Sequence, residues 1–440
     1  MAARSKPPKF NALHFKVLFV FLAIGTQFAI MSAIVPIVPE MLDVAVHGMY
    51  LKSQNTTSIF STETTVDIVG LFATPYVISI SLSPIFAYIT DAFGTERPLF
   101  FGMMSLLIQT LIFAFSRNIY WYILGDIFLG MSLCCLTISG ISSILAPFSD
   151  SGVRLPIIAV LQVLYSVKFF GPSYAGLLYE ELGQTWAFLP ISLMVLINIA
   201  LYCIYLYKKD HHNSNNTIEP GYQSIDEQEN ESSEEHKENK HVITSFATIL
   251  KDVSMSSALV MYTCSSLTRS ALMPIIALWL NDQFHSKFIS LVYVPSYILQ
   301  TIGILIAYNV SKNQFVWISI WFVIIGMSTI LLPFSETLVM VTILYAVSQL
   351  LVSMVRYWMF VILSEKGRKN YRHMFGHVQA LISLSDDISI LATFIVSPIL
   401  CEMFGFQNVC LFFGLCSFAF VSISILNHYI QSSNDDNFDV

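Results

Sequence analysis

Two long regions of this 440-residue chain, 17–207 and 254–430, are apolar almost without interruption, and a polar, acidic stretch from Lys208 to about Val242 divides them. At ~20 residues per membrane span, each region is long enough for about six helices. Two six-span halves joined by a hydrophilic loop is the plan of a carrier in which one half rocks against the other around a midplane site. The predicted spans are 17–40, 67–90, 98–115, 121–147, 155–179 and 186–207 in the first half. In the second half they are 254–280, 287–309, 315–334, 337–364, 374–402 and 408–430. The expected fold is therefore all-α: a membrane protein of twelve transmembrane helices in two six-helix halves. Residues 1–207 form the N-terminal half, 208–253 an acidic disordered cytosolic linker, 254–430 the C-terminal half, and 431–440 a cytosolic tail.

Charge supports this division. Charged residues make up only 12% of the chain and apolar ones 55%, whereas water-soluble domains carry about 25% charged residues. The net charge of −7 is concentrated in the linker and in the tail, where Asp435, Asp436 and Asp439 lie. What remains is close to neutral, so there is no basic face for a nucleic acid, and the acidic segments read as solvated chain. The seven cysteines lie within or close to apolar spans, without metal-ligand or secreted-disulfide spacing. No phosphate-binding loop or nucleophile elbow is present, so neither an enzyme nor a cofactor is expected.

Orientation follows from the basic residues. Arg4, Lys6, Lys9 and Lys16 precede the first span, and Lys366, Arg368, Lys369 and Arg372 follow the tenth, while Glu180, Glu181 and Glu402 fall on the other side. The positive-inside rule then places both termini in the cytosol. The first run is too long for a signal-peptide core and lacks a cleavage site. The first non-cytosolic loop, 41–66, contains the sequon Asn55-Thr56-Thr57, which makes Asn55 a candidate glycosylation site, whereas the sequons at Asn215, Asn230 and Asn309 face the cytosol and read as coincidental. Tyr222-Gln223-Ser224-Ile225 in the linker has the form of a sorting signal, a pattern common by chance.

Six ionisable residues fall well inside the spans: Asp126, Lys168, Arg269, Arg356, Asp386 and Asp387. Each costs ~2.5–3.5 kcal/mol at a helix centre, so each is a functional candidate, with structural ion pairing as the competing account. Asp386 and Asp387 lie ~18 Å into span eleven, near the bilayer centre, and point about 100° apart; one is expected to face a cavity and the other a neighbouring helix. Lys168 and Asp126 are within reach of a pair if the lysine snorkels. In span five, Gly171, Ala175 and Gly176 allow close helix approach while Pro172 bends the helix.

Several segments resemble the vesicular amine transporters of the major facilitator superfamily. They are Val35-Pro36-Ile37-Val38-Pro39, Val69 through Ala73, Pro84 through Gly94, and Gly171-Pro172 through Gly183, which is similar to the helix-five antiporter signature; Pro274, Trp279, Pro295 and Gly303 keep the family's spacing. Asp91, Gly94 and Arg97 match part of the loop motif after helix two, where a conformational latch sits. The resemblance implies a carrier that exchanges lumenal protons for a cytosolic amine at an acidic organelle such as a synaptic vesicle, with a long glycosylated first loop. The polar site departs from the family. Its helix-one Asp aligns with Gln27, its helix-seven Glu with Met273, its last-helix Asp with Ser417, its helix-two Lys with Pro75, its helix-four Arg with Asp126 and its helix-ten Asp with Arg356; one family carboxylate survives, as Asp387.

The leading expectation is a proton-coupled antiporter of a small organic solute in a vesicular or other endomembrane, working as a monomer in the bilayer. Asp387 or Asp386 is the protonatable group, and Gln27, Ser32, Arg269, Arg356 and Trp358 line or border the cavity, with Asp126 as a more distant source of negative charge. Two alternatives stand beside it. One is an organic-anion carrier using Arg269 and Arg356. The other is a non-transporting relative whose site has decayed.

Overall fold

In hydrocarbon no water answers a backbone N–H or C=O, so an apolar run must satisfy its own hydrogen bonds as a helix. The chain does so throughout the computed structural model, which describes residues 15–34, 62–116, 119–148, 151–167, 174, 178–179, 181–216, 241–284, 292–309 and 314–435. The N-terminal half contains α1 (Phe15–Ile34), α2 (Thr62–Phe93), α3 (Glu96–Phe115), α4 (from Ile119 through a π-helical turn at Leu136–Gly140 to Leu145), α5 (Ser151–Val167) and α6 (Gln184–Asn216). The C-terminal half contains α7 (Val253–Ser270, resumed as Met273–Phe284), α8 (Tyr293–Asn309), α9 (Gln314–Leu331) and α10 (Leu338–Asn370). The run Phe375–Asp435 supplies α11 and α12, separated at Gly405, whose φ of 79° only glycine adopts without strain.

The predicted spans and the observed helices agree, with three differences. Span seven is two pieces, because Pro274 has no N–H to meet the Ser270 carbonyl and the helix breaks one turn earlier. Helix α2 begins at Thr62, inside the expected first loop, and α10 continues past the expected end of its span to Asn370. The linker is also not wholly irregular. Helix α6 continues to Asn216, and His241–Lys251 forms an amphipathic linker helix. The apolar spacing of Phe246 and Ile249 explains it: Ile249 is buried and the Phe246 ring lies 5.0 Å from that of His377 on α11. Asp252 then caps α7, its Oδ1 accepting from the Ser254 and Met255 amides.

Among the described residues, eight helices are long and apolar enough to cross a membrane. Their outer faces are apolar as well. On α9, Val316, Trp317, Ile320, Val323, Ile324, Met327 and Leu331 are all exposed at three- and four-residue intervals, a stripe that water would not tolerate and lipid tails do. Polar and charged side chains turn inward instead, reversing the arrangement of a soluble protein.

The two halves meet along an antiparallel seam between α2 and α11. Going along α2 from its N-terminal end, Phe72 and Tyr76 stack on Phe394, Ser79 meets Asp387, and Asp91 meets Gly376 and His377. Helix α5 packs against α8 as a second contact between halves. The seam is what positions the site.

Candidate functional site

Asp386 and Asp387 lie ~18 Å from the Phe375 start of α11, about half the ~30 Å depth of a bilayer core. Their roles divide sharply. Arg356 of α10 grips Asp386 with both terminal nitrogens, 2.6 Å to Oδ1 and 2.8 Å to Oδ2. The same guanidinium donates to Ser266 Oγ at 2.8 Å and Tyr262 Oη at 2.9 Å, and lies over the Tyr262 and Tyr165 rings at 5.0 and 5.8 Å. A planar fork against a carboxylate is the strongest pairing available to these groups. Asp387 instead accepts from the Ser79 hydroxyl at 2.7 Å, a bond that crosses from one half to the other.

Two cavities occupy the space between the halves. The midplane cavity has Asp386, Asp387, Gln379, Thr137, Tyr165 and Tyr262 in its wall. The second is lined by Ser32, Phe72, Met273 and Phe394 around Asp126. Met31 and Tyr76 belong to both walls, and the Tyr76 hydroxyl points at the Met31 sulfur 3.9 Å away. The chambers are therefore neighbours divided by one aromatic side chain and one thioether.

Asp126 stands two turns inside α4 from Ile119, ~10 Å deep. It is 2% exposed, and no hydrogen-bond donor among the described residues reaches its Oδ2. The lysine proposed as its partner, Lys168, lies outside the described residues, as do Gly171, Pro172, Gly176 and Asn55.

The other expected site residues distribute unevenly. Ser32 lines the second cavity, with its hydroxyl proton directed to the Phe28 and Ala29 carbonyls at 2.9 Å. Arg356 stands behind the midplane wall, bonded to its Asp386 and Tyr262, and Arg269 donates to the Tyr165 carbonyl at 3.4 Å. Gln27 and Trp358 are buried and stand outside the described walls of both cavities. Gln27 sits on α1 with neither amide atom bonded among the described residues. Of the adjacent aspartates, Asp386 contacts a neighbouring helix, α10, through Arg356, and both also line the midplane cavity, because the arginine leaves an edge of Asp386 open to it.

At the Asp91 end of the seam the halves are tied together. Asp91 accepts from the Gly376 amide at 2.7 Å, the His377 amide at 3.1 Å and faces His377 Nδ1 at 2.6 Å, so its charge rests on the N-terminal end of α11. Gly94, at φ 84°, makes the turn that follows, and Arg97 is exposed beyond it. Arg154 of α5 pairs with Glu365 of α10, and Arg368 donates to the Phe148 carbonyl at 3.1 Å. Between these ties and the midplane cavity, Ala87, Cys134, Cys135, Ile138 and Ala380 pack into a dry plug.

Sequence reasoning did not single out Tyr76, Ser79, Tyr262 or Gln379. The alternation Ser79-Ile80-Ser81-Leu82-Ser83 in an apolar span is a faint signal for one of them. Tyr262 and Gln379 leave no such trace, since one polar residue in a helix reads the same whichever way it points.

Residues 17–385 match the sequence profile of the Major Facilitator Superfamily. The chain belongs to that superfamily. It is an integral, multi-pass membrane protein, and relatives of known kind are similar to it in sequence. The synaptic vesicular amine transporter of Rattus norvegicus is 22% identical over 273 residues, 61% of this chain and 48% of that protein. The probable vesicular acetylcholine transporter-B of Danio rerio is 22% identical over 311 residues, 69% of this chain and 57% of its own length. The matched part thus spans about half the length of these relatives. Among solved structures, the human organic anion transporter MFSD10 (TETRAN) superposes with a TM-score of 0.68 over 95% of this chain and 100% of that one, at 12% identity, a likeness of fold.

Proposed function

We propose that this superfamily member is a proton-coupled antiporter of a small organic solute, with Asp387 as the group that gains and loses the proton. The observation that carries the reading is the Ser79–Asp387 hydrogen bond at 2.7 Å, buried beside a cavity and spanning the two halves. A carboxylate accepts such a bond more strongly when ionised than when protonated. Its protonation state therefore biases how firmly α2 holds α11, and so which way the halves rock. Asp386 does not suit this task. Protonating it would strand the Arg356 guanidinium, 2% exposed, without its counter-charge.

The likeness to vesicular amine and acetylcholine transporters supports an endomembrane location with both termini in the cytosol, and a cytosolic solute exchanged for lumenal protons. The organic-anion alternative loses ground on the geometry, because Arg356, one of its two cations, is already bound by Asp386. The test is solute accumulation in proteoliposomes carrying an acid interior. Asp387→Asn should abolish accumulation driven by the pH gradient while leaving exchange without a gradient. Undiminished, equally pH-dependent accumulation in that variant would remove Asp387 from the mechanism. Absence of flux in the wild-type protein for amines and anions alike would favour a relative that no longer transports.

A further inference from the structure

In the wall of the midplane cavity, Asp386 is held by Arg356 and Asp387 by Ser79. Gln379 differs. It is 1% exposed, and neither its Oε1 nor its Nε2 makes a hydrogen bond among the described residues. Buried side-chain amides are ordinarily paired, as Gln300 is with Gln349 at 2.7 Å between α8 and α10. Gln27 and Gln109 are also unbonded, but they stand outside the described cavity walls. An amide with both poles unmet in a cavity wall finds its partner in what enters the cavity. Lys168, outside the described residues, is too remote to serve. Val167, the last described residue before it, stands ~24 Å along α5 from Ser151, whereas Gln379 stands ~6 Å along α11 from Phe375. Both helices start at the Asp91 end, where Arg154 of α5 meets Glu365 and Asp91 meets α11.

The cavity floor around Gln379 is built by both halves. Ala380, next along α11, packs with Cys134 and Ile138 of α4 in the dry plug, and α11 rests on the π-helical turn Leu136–Gly140. That turn brings Thr137 into the same wall, and π-helical turns are rare features that concentrate at functional sites. Beyond the floor the wall is aromatic, with Phe28, Tyr165, Tyr262 and Phe360, and the Phe28 and Tyr165 rings are 4.3 Å apart. The hydrogen-bond inventory then sets the chemistry of the solute. A carboxamide presents an acceptor oxygen beside an NH2 donor. An ammonium donates to Oε1 and leaves the Nε2 hydrogens unmet, while a carboxylate accepts from Nε2 and leaves Oε1 unmet. A group with C=O and N–H on one edge, a primary carboxamide or a lactam, meets both poles at once, and a site of this kind rejects analogues that lack either.

We propose that Gln379 is the specificity-determining residue of the midplane cavity and that the solute is an uncharged, planar amide. Its C=O and N–H edge pairs with Gln379, and its flat body lies against the aromatic wall. With Gln379 on α11 and Thr137 on α4, the same solute touches both halves, as the cargo of a rocking carrier must. This names the solute class for the carrier reading above and rests on it in taking the cavity as the solute site.

Equilibrium binding to the full chain in detergent at neutral pH, with no proton gradient, tests it. The probes are benzamide and three molecules of matched shape: acetophenone, which keeps the carbonyl and lacks the N–H, anionic benzoate and cationic benzylammonium. Benzamide should bind the wild-type protein about tenfold or more tightly than each of the three, since each leaves a pole of Gln379 unpaired. Gln379→Leu should bring benzamide down to the level of acetophenone. Gln379→Glu should reverse the order, with benzylammonium about tenfold or more tighter than benzamide, an inversion that a packing role would not produce. The wild-type ranking needs no variant, so it decides the matter even where a variant fails to fold. Benzamide bound no more tightly than the other three, or not at all, or a ranking that Gln379→Glu leaves unchanged, would each overturn the proposal. Because no gradient is present, these results are independent of whether Asp387 couples transport to protons, and either reading can fail alone.

Discussion

Replacing Arg356 by Met should be among the most destabilising single changes in the protein, and replacing Asp386 by Leu at the same time should undo most of the damage. The guanidinium makes two bonds to Asp386 and one each to Ser266 and Tyr262, all buried. Removing it leaves the Asp386 carboxylate desolvated without a counter-charge, a loss of about 3–5 kcal/mol. Removing Asp386 alone strands the guanidinium at a similar cost. If the two sites were independent, the double variant would lose about 6–10 kcal/mol by simple addition. The pair need not behave so, because swapping a buried ion pair for apolar groups of similar size is often neutral or better. What remains is the partner lost by Ser266 and Tyr262, about 0.5–1.5 kcal/mol each. The double variant should therefore lose no more than about 3 kcal/mol, a coupling of at least about 3 kcal/mol. Equilibrium unfolding in mixed micelles, followed by tryptophan fluorescence, measures all four corners of the cycle. Additive losses would refute the reasoning, showing that Arg356 and Asp386 act separately and that the arginine is available to a solute.

Two further predictions concern the ties at Asp91 and Arg154. A Cβ on Gly376 would lie 2.6 Å from Asp91 Oδ1, so Gly376→Ala should push the carboxylate off the α11 amides and favour opening on that side. With the other five cysteines changed to serine, the sealed Cys134 and Cys135 should then react with a maleimide at least tenfold faster; an unchanged rate would mean that the Asp91 contact does not hold the plug closed. Glu365→Gln removes the counter-charge of the buried Arg154 and should weaken the closed arrangement by about 1.5–3 kcal/mol, the worth of a hydrogen bond to a charged group. The same labelling should rise by about 10- to 100-fold, and slower labelling would contradict the assignment.

The architecture was legible because it depends on bulk properties of each segment. A run of apolar residues of bilayer length leaves its backbone no choice but a helix. The linker was less legible. Its acidic composition suggested irregular chain, yet Phe246 and Ile249 have the spacing of an apolar helical face and find a surface to cover beside α11. Within the site, sequence reading gathered the right charges and could not sort them. Asp386 and Asp387 are neighbours of identical type, and only the approach of α10 from one side and α2 from the other makes one a structural partner and the other a seam contact.

The chain by itself determined that this protein crosses a membrane as two helical halves, that its polar residues turn inward, and which few ionisable side chains are buried between them. These follow from the free energy of placing each residue type in hydrocarbon, which is a property of the residue and its neighbours along the chain. Which charge cancels which, and how Tyr76 and Met31 come to stand between two cavities, were decided only by helix packing. Pairing energies depend on ångström distances between groups far apart in sequence, Asp91 with Gly376 or Ser79 with Asp387, and no local pattern encodes those distances.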